Sequence, residues 1–161
     1  MRAASRKGAA IKQVKLRIVW VGKTKNFQLS QLCTDYISRI EHFLPVSIAE
    51  VKEPRGGIDA EAEKILSALD ASDRIVVLDP NGKPWTSPQL AKFVQKHMNS
   101  DSRRLTFVIG GHEGLSEKVK KQAEIQWSLS PLTFTHELTR VIILEQLYRA
   151  LTIIRNLPYS K

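Results

Sequence analysis

Three segments rich in glycine, proline or polar residues directly follow short apolar runs. They are 78–85 (LDPNGKPW), 110–114 (GGHEG) and 130–136 (SPLTFTH). In the second, Gly110 and Gly111 allow the backbone to approach a ligand closely, which suits main-chain hydrogen bonds to an adenine or a ribose. By itself this local sequence favours a tight strand-to-helix turn. It lacks the GxGxxG spacing and the P-loop lysine, so pyrophosphate binding has little support.

The charged residue of greatest interest is Arg149, which lies on an otherwise apolar segment. A buried guanidinium needs a specific partner. Glu145, four residues earlier, would face Arg149 on a helix and form an ordinary ion pair. An anionic ligand is the alternative partner, and the local sequence slightly favours the pair with Glu145.

The segment 78–85 offers several polar and aromatic groups. Asp79 can cap a turn or a helix, and Asn81 followed by Gly82 is a typical turn pair. Lys83 and Trp85 suit contact with a phosphate and stacking on a base. Packing in the core is the favoured interpretation for Trp85.

Other kinds of catalytic site find no support in the sequence. The four histidines (His42, His97, His112 and His136) are scattered, and the lone cysteine, Cys33, supplies no paired ligand, so no metal site is expected. There is no GxSxG nucleophile motif. Cys33 lies on a predicted apolar helix face, which indicates a buried structural thiol in a reducing compartment.

These loops must be positioned by alternating strands and helices. Short apolar runs bounded by Gly, Pro, Asp or Ser predict five strands at 16–21, 46–51, 74–78, 105–109 and 125–129. Three- and four-residue spacing of apolar residues predicts helices at about 32–44 and 62–69, with a cap at Asp59. Start signals at Thr86 and Ser116 predict two more. Such alternation predicts an α/β fold, a five-stranded mostly parallel sheet with helices on both faces.

The final predicted helix, about 137–155, is apolar on more than one side. Its apolar residues fill about half of the circumference, and Leu138, Ile142 and Ile153 fall within the remaining polar sector. A helix of this kind must be covered on several faces. It is therefore either threaded into the domain or shared with a second subunit.

The length of 161 residues suits one domain, which we place at 14–161. The net charge of +9 is unevenly distributed: residues 1–34 hold eight cations and no acid, and the remaining 127 hold 17 cations and 16 anions. Residues 1–13 are predicted to form a basic, disordered extension that adds salt-dependent affinity for RNA. Their composition also fits an organellar transit peptide. No apolar run approaches the roughly 18 residues of a membrane span, so we expect a soluble protein with no membrane partner.

Several motifs together resemble a known family. They are IGGxEGL at 109–115, WSLS at 127–130, His136, Arg140-Val141, EQLYRA at 145–150 and Pro158-Tyr159. From about Lys15 onward the chain is similar to the SPOUT-class (alpha/beta knot) methyltransferases that modify a pseudouridine of bacterial large-subunit ribosomal RNA. The resemblance implies a C-terminal deep trefoil knot, binding of S-adenosyl-L-methionine at the knot, and a homodimer. Following the family pattern, the donor pocket comprises Leu78, Gly110, Leu129, Ser130, Pro131, Leu132, Thr133 and Phe134.

The implied reaction is transfer of the methyl group to N3 of a pseudouridine in 23S ribosomal RNA of the assembled ribosome, in the cytoplasm. It needs alignment of the reacting atoms and removal of the N3 proton, without a metal. The candidate catalytic residues are Arg149, to orient the base or phosphate, Tyr159, to close the site over the nucleoside, and His136, to order the pocket or assist proton removal. Glu145 is a further candidate near the pocket. Ser160 stands where the family usually has histidine, which leaves any role of a terminal histidine in doubt.

Two alternatives stay open from the sequence. One is a SPOUT methyltransferase for another ribosomal or transfer RNA site. The other is a non-catalytic RNA-binding or ribosome-assembly protein that keeps the fold. A charged or glycine-poor donor loop would favour the second alternative, and Gly110, Gly111 and the segment 129–134 argue against it.

Overall fold

The computed structural model of the protein describes residues 14–159. In this part of the chain, five strands alternate with five helices. The strands are β1 (Leu16–Val21), β2 (Val46–Val51), β3 (Arg74–Pro84), β4 (Leu105–Ile109) and β5 (Ile125–Ser128), and the helices are α1 (Phe27–Glu41), α2 (Gly57–Ala68), α3 (Ser87–Ser100), α4 (Glu117–Lys120) and α5 (His136–Ile154). The predicted extension at 1–13 and the departure at Ser160 lie outside the described residues.

The strands form one open sheet in the order β2-β1-β4-β3-β5, and each of the four neighbouring pairs is parallel. The predicted α/β class and parallel sheet are confirmed. Because β4 lies in the middle of the sheet, it is buried along its whole length, as its nearly continuous apolar sequence predicts. The carboxyl ends of all five strands therefore meet at one edge of the sheet.

Helices cover both faces of the sheet, as predicted. One core packs α1, α3 and α5 against the sheet around Phe107, and the other packs α2 and α4 around Val108. Neighbouring residues of β4 thus point into opposite cores, following the two-residue period of a strand. Burying a side chain of this size stabilises the fold by about 1.5–3 kcal/mol.

The end of β3 differs from the sequence prediction, which placed a loop at 78–85. The strand continues to Pro84 after an irregularity between Leu78 and Lys83, and Lys83 pairs with Trp127 of β5. Gly82 permits this second stretch, because a Cβ atom there would lie 2.6 Å from the backbone of Gln126. Only a glycine allows the two strands to approach so closely.

Most predicted helix starts are confirmed, with one exception. Thr86 and Gln89 form a capping box at α3, and Ser116 caps α4 by accepting from Val119 N–H at 3.4 Å. Asp59 does not cap α2. Gly57, with φ of 75°, turns the chain into the helix two residues earlier, so Asp59 lies in the first turn.

Helix α5 is buried on the side that faces α1, α3 and the sheet, where Ile143, Leu144 and Leu147 are almost inaccessible. Leu138 and Ile153, near its two ends, keep exposed fractions of 38% and 44%. Both are among the apolar residues that the sequence places in the otherwise polar sector of this helix. No helix within residues 14–159 is long and apolar enough to cross a membrane.

Candidate functional site

A cavity of about 1000 Å³ opens at the carboxyl edge of the sheet, beside the irregular part of β3 and the ends of β4 and β5. The starts of α1 and α5 form its opposite side through Asn26, Leu29 and His136. Of the predicted pocket residues, seven line this cavity: Leu78, Gly110, Leu129, Ser130, Leu132, Thr133 and Phe134. Pro131 is not among the lining residues. Three loops that are distant in sequence are therefore brought together as the parallel topology predicts.

The loop after β4 is closed tightly on itself. Gly114 N–H donates to the Gly111 carbonyl at 3.0 Å, and a Cβ atom on Gly110 would lie 2.8 Å from the backbone of Gly114. Gly111 N–H donates to Glu61 Oε1 at 3.1 Å, which fixes the loop to α2. The sequence identified the glycines. It gave no signal for Glu61, which lies fifty residues away.

The loop after β5 carries no charged residue between Leu129 and Thr135. Its shape is held by two serines: Ser128 donates to the Ser130 carbonyl at 3.2 Å, and Ser130 Oγ accepts from Leu132 N–H at 3.0 Å. Leu132 is 69% exposed, so this wall of the cavity presents apolar surface and backbone groups. Such a surface suits a ligand with an uncharged, flat part.

Asp79 forms an ion pair at the edge of the cavity, with its Oδ2 2.9 Å from Lys120 Nζ. It also accepts from Asn81 N–H at 3.0 Å, which confirms the predicted turn. Burial alone would raise the pKa of Asp79, but the hydrogen bonds from Lys120 and Asn81 outweigh it and the pKa lies below its ordinary value. Asp79 is thus ionised and paired with Lys120. The sequence gave no signal for this partner.

A second cavity of about 560 Å³ lies at the other end of α5, with Arg149 and Tyr159 in its wall. Arg149 donates to Glu145 Oε1 from both Nη2, at 2.6 Å, and Nε, at 3.0 Å, so the predicted pair is confirmed. Its guanidinium also lies 4.5 Å from the centroid of the Tyr159 ring. The three residues form one cluster, in which both partners hold Arg149 in place.

Tyr159 is anchored by aromatic neighbours. Its ring meets that of Tyr148 edge to face at 4.9 Å, and its hydroxyl lies 3.4 Å from that of Tyr36. Burial, the contact with Tyr36 and the nearby Glu145 carboxylate raise the pKa of Tyr159 well above its ordinary value. The phenol therefore stays protonated at neutral pH.

The four candidate catalytic residues do not lie together. His136 lines the first cavity, whereas Arg149 and Tyr159 line the second, where Glu145 binds Arg149. His136 and Arg149 are thirteen residues apart on one helix, which corresponds to roughly 20 Å along its axis. Within one chain, Arg149 and the glycine loop therefore line two different cavities.

Trp85 packs between Phe93 and Trp127, with centroid distances of 4.9 and 5.6 Å, so the favoured core interpretation is confirmed. Cys33 is buried, also as predicted. Among residues 14–159, no three His, Cys, Asp or Glu side chains come together as metal ligands.

An open parallel sheet with a large cavity beyond the carboxyl ends of its strands is typical of α/β enzymes that bind nucleotide-like cofactors. The family model described as "Predicted SPOUT methyltransferase" matches residues 14–160, and the chain belongs to this family of methyltransferases.

Curated relatives agree with this assignment. A protein of Trichlorobacter lovleyi named "Ribosomal RNA large subunit methyltransferase H" is 40% identical over 151 residues, covering 91% of this chain and 99% of its own length. A protein of the same name from Christiangramia forsetii is 40% identical over 153 residues, covering 89% and 97%.

Solved structures support the fold. A probable methyltransferase from Bordetella pertussis Tohama I superposes with a TM-score of 0.55 at 10% identity, covering 88% of this chain and 95% of its own. A probable methylase family protein from Haemophilus influenzae gives a TM-score of 0.55 at 11% identity, with 94% and 71% coverage.

Proposed function

We propose that this chain transfers a methyl group from S-adenosylmethionine to N3 of a pseudouridine in 23S ribosomal RNA of the assembled ribosome. The family membership and the names of relatives that match over nearly their whole length support an RNA of the large subunit as substrate. The observation that carries the proposal is the glycine-lined cavity at the carboxyl edge of the sheet. A ribosomal substrate also implies the cytoplasm as the place of action.

The first cavity fits the methyl donor. Its volume suits a nucleoside with an amino-acid side arm. A Cβ atom on Gly110 would meet the backbone of Gly114, and one on Gly111 would meet the Glu61 carboxylate, so glycine lets this loop close tightly. The closed loop lines the cavity, where its backbone groups can meet an adenine or a ribose. Leu78, Leu129 and Leu132 supply apolar walls. When bound, S-adenosylmethionine supplies an electrophilic methyl group on a sulfonium sulfur.

The second cavity supplies the groups that orient the acceptor. Arg149, fixed by Glu145 and by the ring of Tyr159, can donate to a uracil carbonyl or a phosphate without losing further side-chain freedom. Tyr159 acts by its ring, because a phenol with a raised pKa does not accept the N3 proton. Glu145 is occupied by its two hydrogen bonds from Arg149, so we assign ordering of the pocket or acceptance of the proton to His136.

A homodimer brings the two cavities together in this proposal. If α5 of one copy lies antiparallel to α5 of a second, the Arg149 end of each helix faces the His136 end of the other. The exposed Leu138 and Ile153, at opposite ends of α5, and the half-exposed Leu157 beside the second cavity supply apolar surface for this contact. The trefoil knot implied by the family resemblance belongs to the same proposal.

Methyl transfer to defined acceptors tests the function. Labelled donor is offered to intact ribosomes, separated subunits, naked ribosomal RNA and transfer RNA, and the modified base is then mapped. We expect label at N3 of a pseudouridine in large-subunit RNA of intact ribosomes. Label in transfer RNA or at another ribosomal site would support the alternative methyltransferase.

Two binding measurements complete the test. Calorimetry with S-adenosylmethionine that detects no binding at millimolar donor would contradict the enzyme and favour the RNA-binding or assembly protein. Sedimentation at micromolar protein should show a dimer, and a monomer would contradict the shared site.

A further inference from the structure

The carboxyl edge of the sheet carries a group of cations next to the first cavity. Lys23 and Lys25 lie on the loop between β1 and α1, and Lys52 and Arg55 lie on the loop between β2 and α2. All four are exposed. We call these four residues the basic rim.

The two loops of the basic rim are neighbours in space. Gly22 N–H donates to the Val51 carbonyl at 2.7 Å, which joins the end of β1 to the end of β2. The first loop leads directly into Asn26 and Leu29, which line the cavity assigned to the methyl donor. The rim therefore extends from this cavity across the β1 and β2 half of the sheet.

The rim cations differ from the arginines at the opposite edge of the sheet. There, Arg74, Arg103 and Arg104 each lie within 3 Å of a carboxylate oxygen, so their charges are used in ion pairs within the fold. Within residues 14–159, none of the four rim side chains has a carboxylate within ion-pair distance. The second loop also carries one acid, Glu53, which lies between Lys52 and Arg55 in sequence.

The loop that carries Lys23 and Lys25 is held in one shape by α5. The Arg140 guanidinium donates to the Val21 carbonyl and, at 2.8 Å, to Thr24 Oγ1. One turn earlier, the Glu137 carboxylate accepts from the backbone N–H groups of Lys25 and Asn26. The side chains of both lysines take no part in these bonds and stay free to meet a ligand.

Arg140 adds positive charge beneath the rim. Its exposed fraction is 1%, its guanidinium lies 5.0 Å from the centroid of Trp20, and its Nε has no hydrogen-bond partner among residues 14–159. No described carboxylate lies within ion-pair distance of it, and the nearby Glu137, Glu50 and Glu53 offset part of its charge. Because a buried cation is screened less by salt than surface charges are, Arg140 keeps its share of the positive charge at the loop above it.

We propose that the basic rim is the surface on which the RNA backbone lies while its target base enters the cavity. The inference rests on the proposed RNA methyltransferase function and adds the place and chemistry of substrate contact. Lysine side chains bind phosphates without reading sequence, so the rim supplies affinity and orientation while the cavities select the base.

Salt dependence of RNA binding tests the rim. Two double variants in the full chain, Lys23→Ala/Lys25→Ala and Lys52→Ala/Arg55→Ala, are compared with Lys92→Ala/Lys96→Ala. The last pair is exposed on α3 and matched in charge. Alanine at position 25 keeps the backbone N–H that binds Glu137. Affinity for large-subunit RNA is measured at several salt concentrations, together with donor affinity by calorimetry.

For each rim variant we expect the slope of log K against log salt to become shallower by about 1–2, since each lost phosphate contact contributes about 0.7–0.9. The apparent KM for RNA should rise, and donor affinity should match that of the unaltered chain. The α3 variant should keep the original slope. Equal slopes for rim and α3 variants would overturn the proposal, and so would a parallel loss of donor binding.

The rim and the proposed function fail in different ways. If the unaltered chain methylates no RNA, the proposed function is wrong. The salt-dependence slopes of the rim and α3 variants still test the rim, because they are measured on any RNA that the chain binds. If it binds no RNA at all, both are wrong. Removal of residues 1–13 in a separate variant measures the share of the slope that the extension supplies.

Discussion

The guanidinium of Arg149 lies 4.5 Å from the centroid of the Tyr159 ring. This contact ties the end of the described chain to α5 and leaves the arginine sandwiched between an aromatic face and the Glu145 carboxylate. An arginine fixed in this way is prepared for a flat or anionic ligand, because its rotamers are already restricted before binding.

Replacement of Arg149 by alanine should reduce methyl transfer by at least about 100-fold, because the acceptor loses its orienting group. Donor affinity should stay largely intact, since Arg149 does not line the first cavity. Arg149→Lys should be intermediate, because it keeps the charge and loses the two-pronged geometry. Steady-state kinetics and calorimetry measure the two effects, and retained turnover in Arg149→Ala would refute the role.

Two substitutions at Tyr159 distinguish the role of its ring from the role of its hydroxyl group. Tyr159→Phe keeps the ring over Arg149, and we expect its kcat to stay within about threefold of the original. Tyr159→Ala removes the ring and should lower kcat as strongly as the loss of Arg149. A pH–rate profile that loses its basic limb in Tyr159→Phe would show that the phenol takes part in proton transfer, against this expectation.

The sequence was informative where the structure depends on local pattern. The strand at 105–109, the cap at Thr86 and the pair of Glu145 with Arg149 all follow from residues a few positions apart. The glycines of the first cavity were also identified, because their chemistry is visible in one short loop.

Contacts that depend on strand order were not predictable. Asp79 meets Lys120, and Arg140 meets Thr24, across 41 and 116 positions of sequence. Asp79 meets Lys120 because β3 and β4 are neighbours in the sheet, and Arg140 meets Thr24 because α5, which follows the edge strand β5, packs against α1. Hydrophobic periodicity encodes neither arrangement. The extension of β3 to Pro84 was missed for a related reason, since turn residues at 80–82 are used here in an irregular strand.

Gly110→Ala should damage the donor cavity without unfolding the protein. The added Cβ atom would lie 2.8 Å from the backbone of Gly114, so the loop must move. We expect donor affinity to fall at least about tenfold, or 1.4 kcal/mol. Calorimetry measures this change, and urea unfolding without ligand is the control. Unchanged affinity would indicate that the donor does not approach this loop.

Asp79→Asn should alter stability in a pH-dependent way. The folded pKa of Asp79 is lowered, so its contribution is present above the unfolded pKa of about 3.9 and is lost as pH falls through the folded value. At pH 7 the variant should be less stable by about 1–2 kcal/mol, because Lys120 loses its charged partner. This difference should shrink below about pH 4.

Urea unfolding between pH 3 and 8 measures the effect of Asp79→Asn. Glu63→Gln is the matched control, because Glu63 of α2 forms an exposed pair at 3.7 Å with Lys118, which lies on α4 as Lys120 does. Its effect should stay within about 0.5 kcal/mol at every pH. A constant difference between Asp79→Asn and the original chain down to pH 3 would contradict the pKa argument.

Mixing two inactive variants distinguishes a site shared between copies from one contained in a single chain. Arg149→Ala weakens orientation of the acceptor, and Gly110→Ala weakens donor binding, so at donor concentrations well below the donor Kd of Gly110→Ala each variant alone should have little activity. If the site is shared, a mixed dimer contains one intact site, formed by Gly110 of one copy and Arg149 of the other.

After random exchange about half of the dimers are mixed, and activity should return to about a quarter of the original. If both groups act within one chain, no combination is intact and the mixture stays inactive. Since about 20 Å of helix separates His136 from Arg149, we expect recovery.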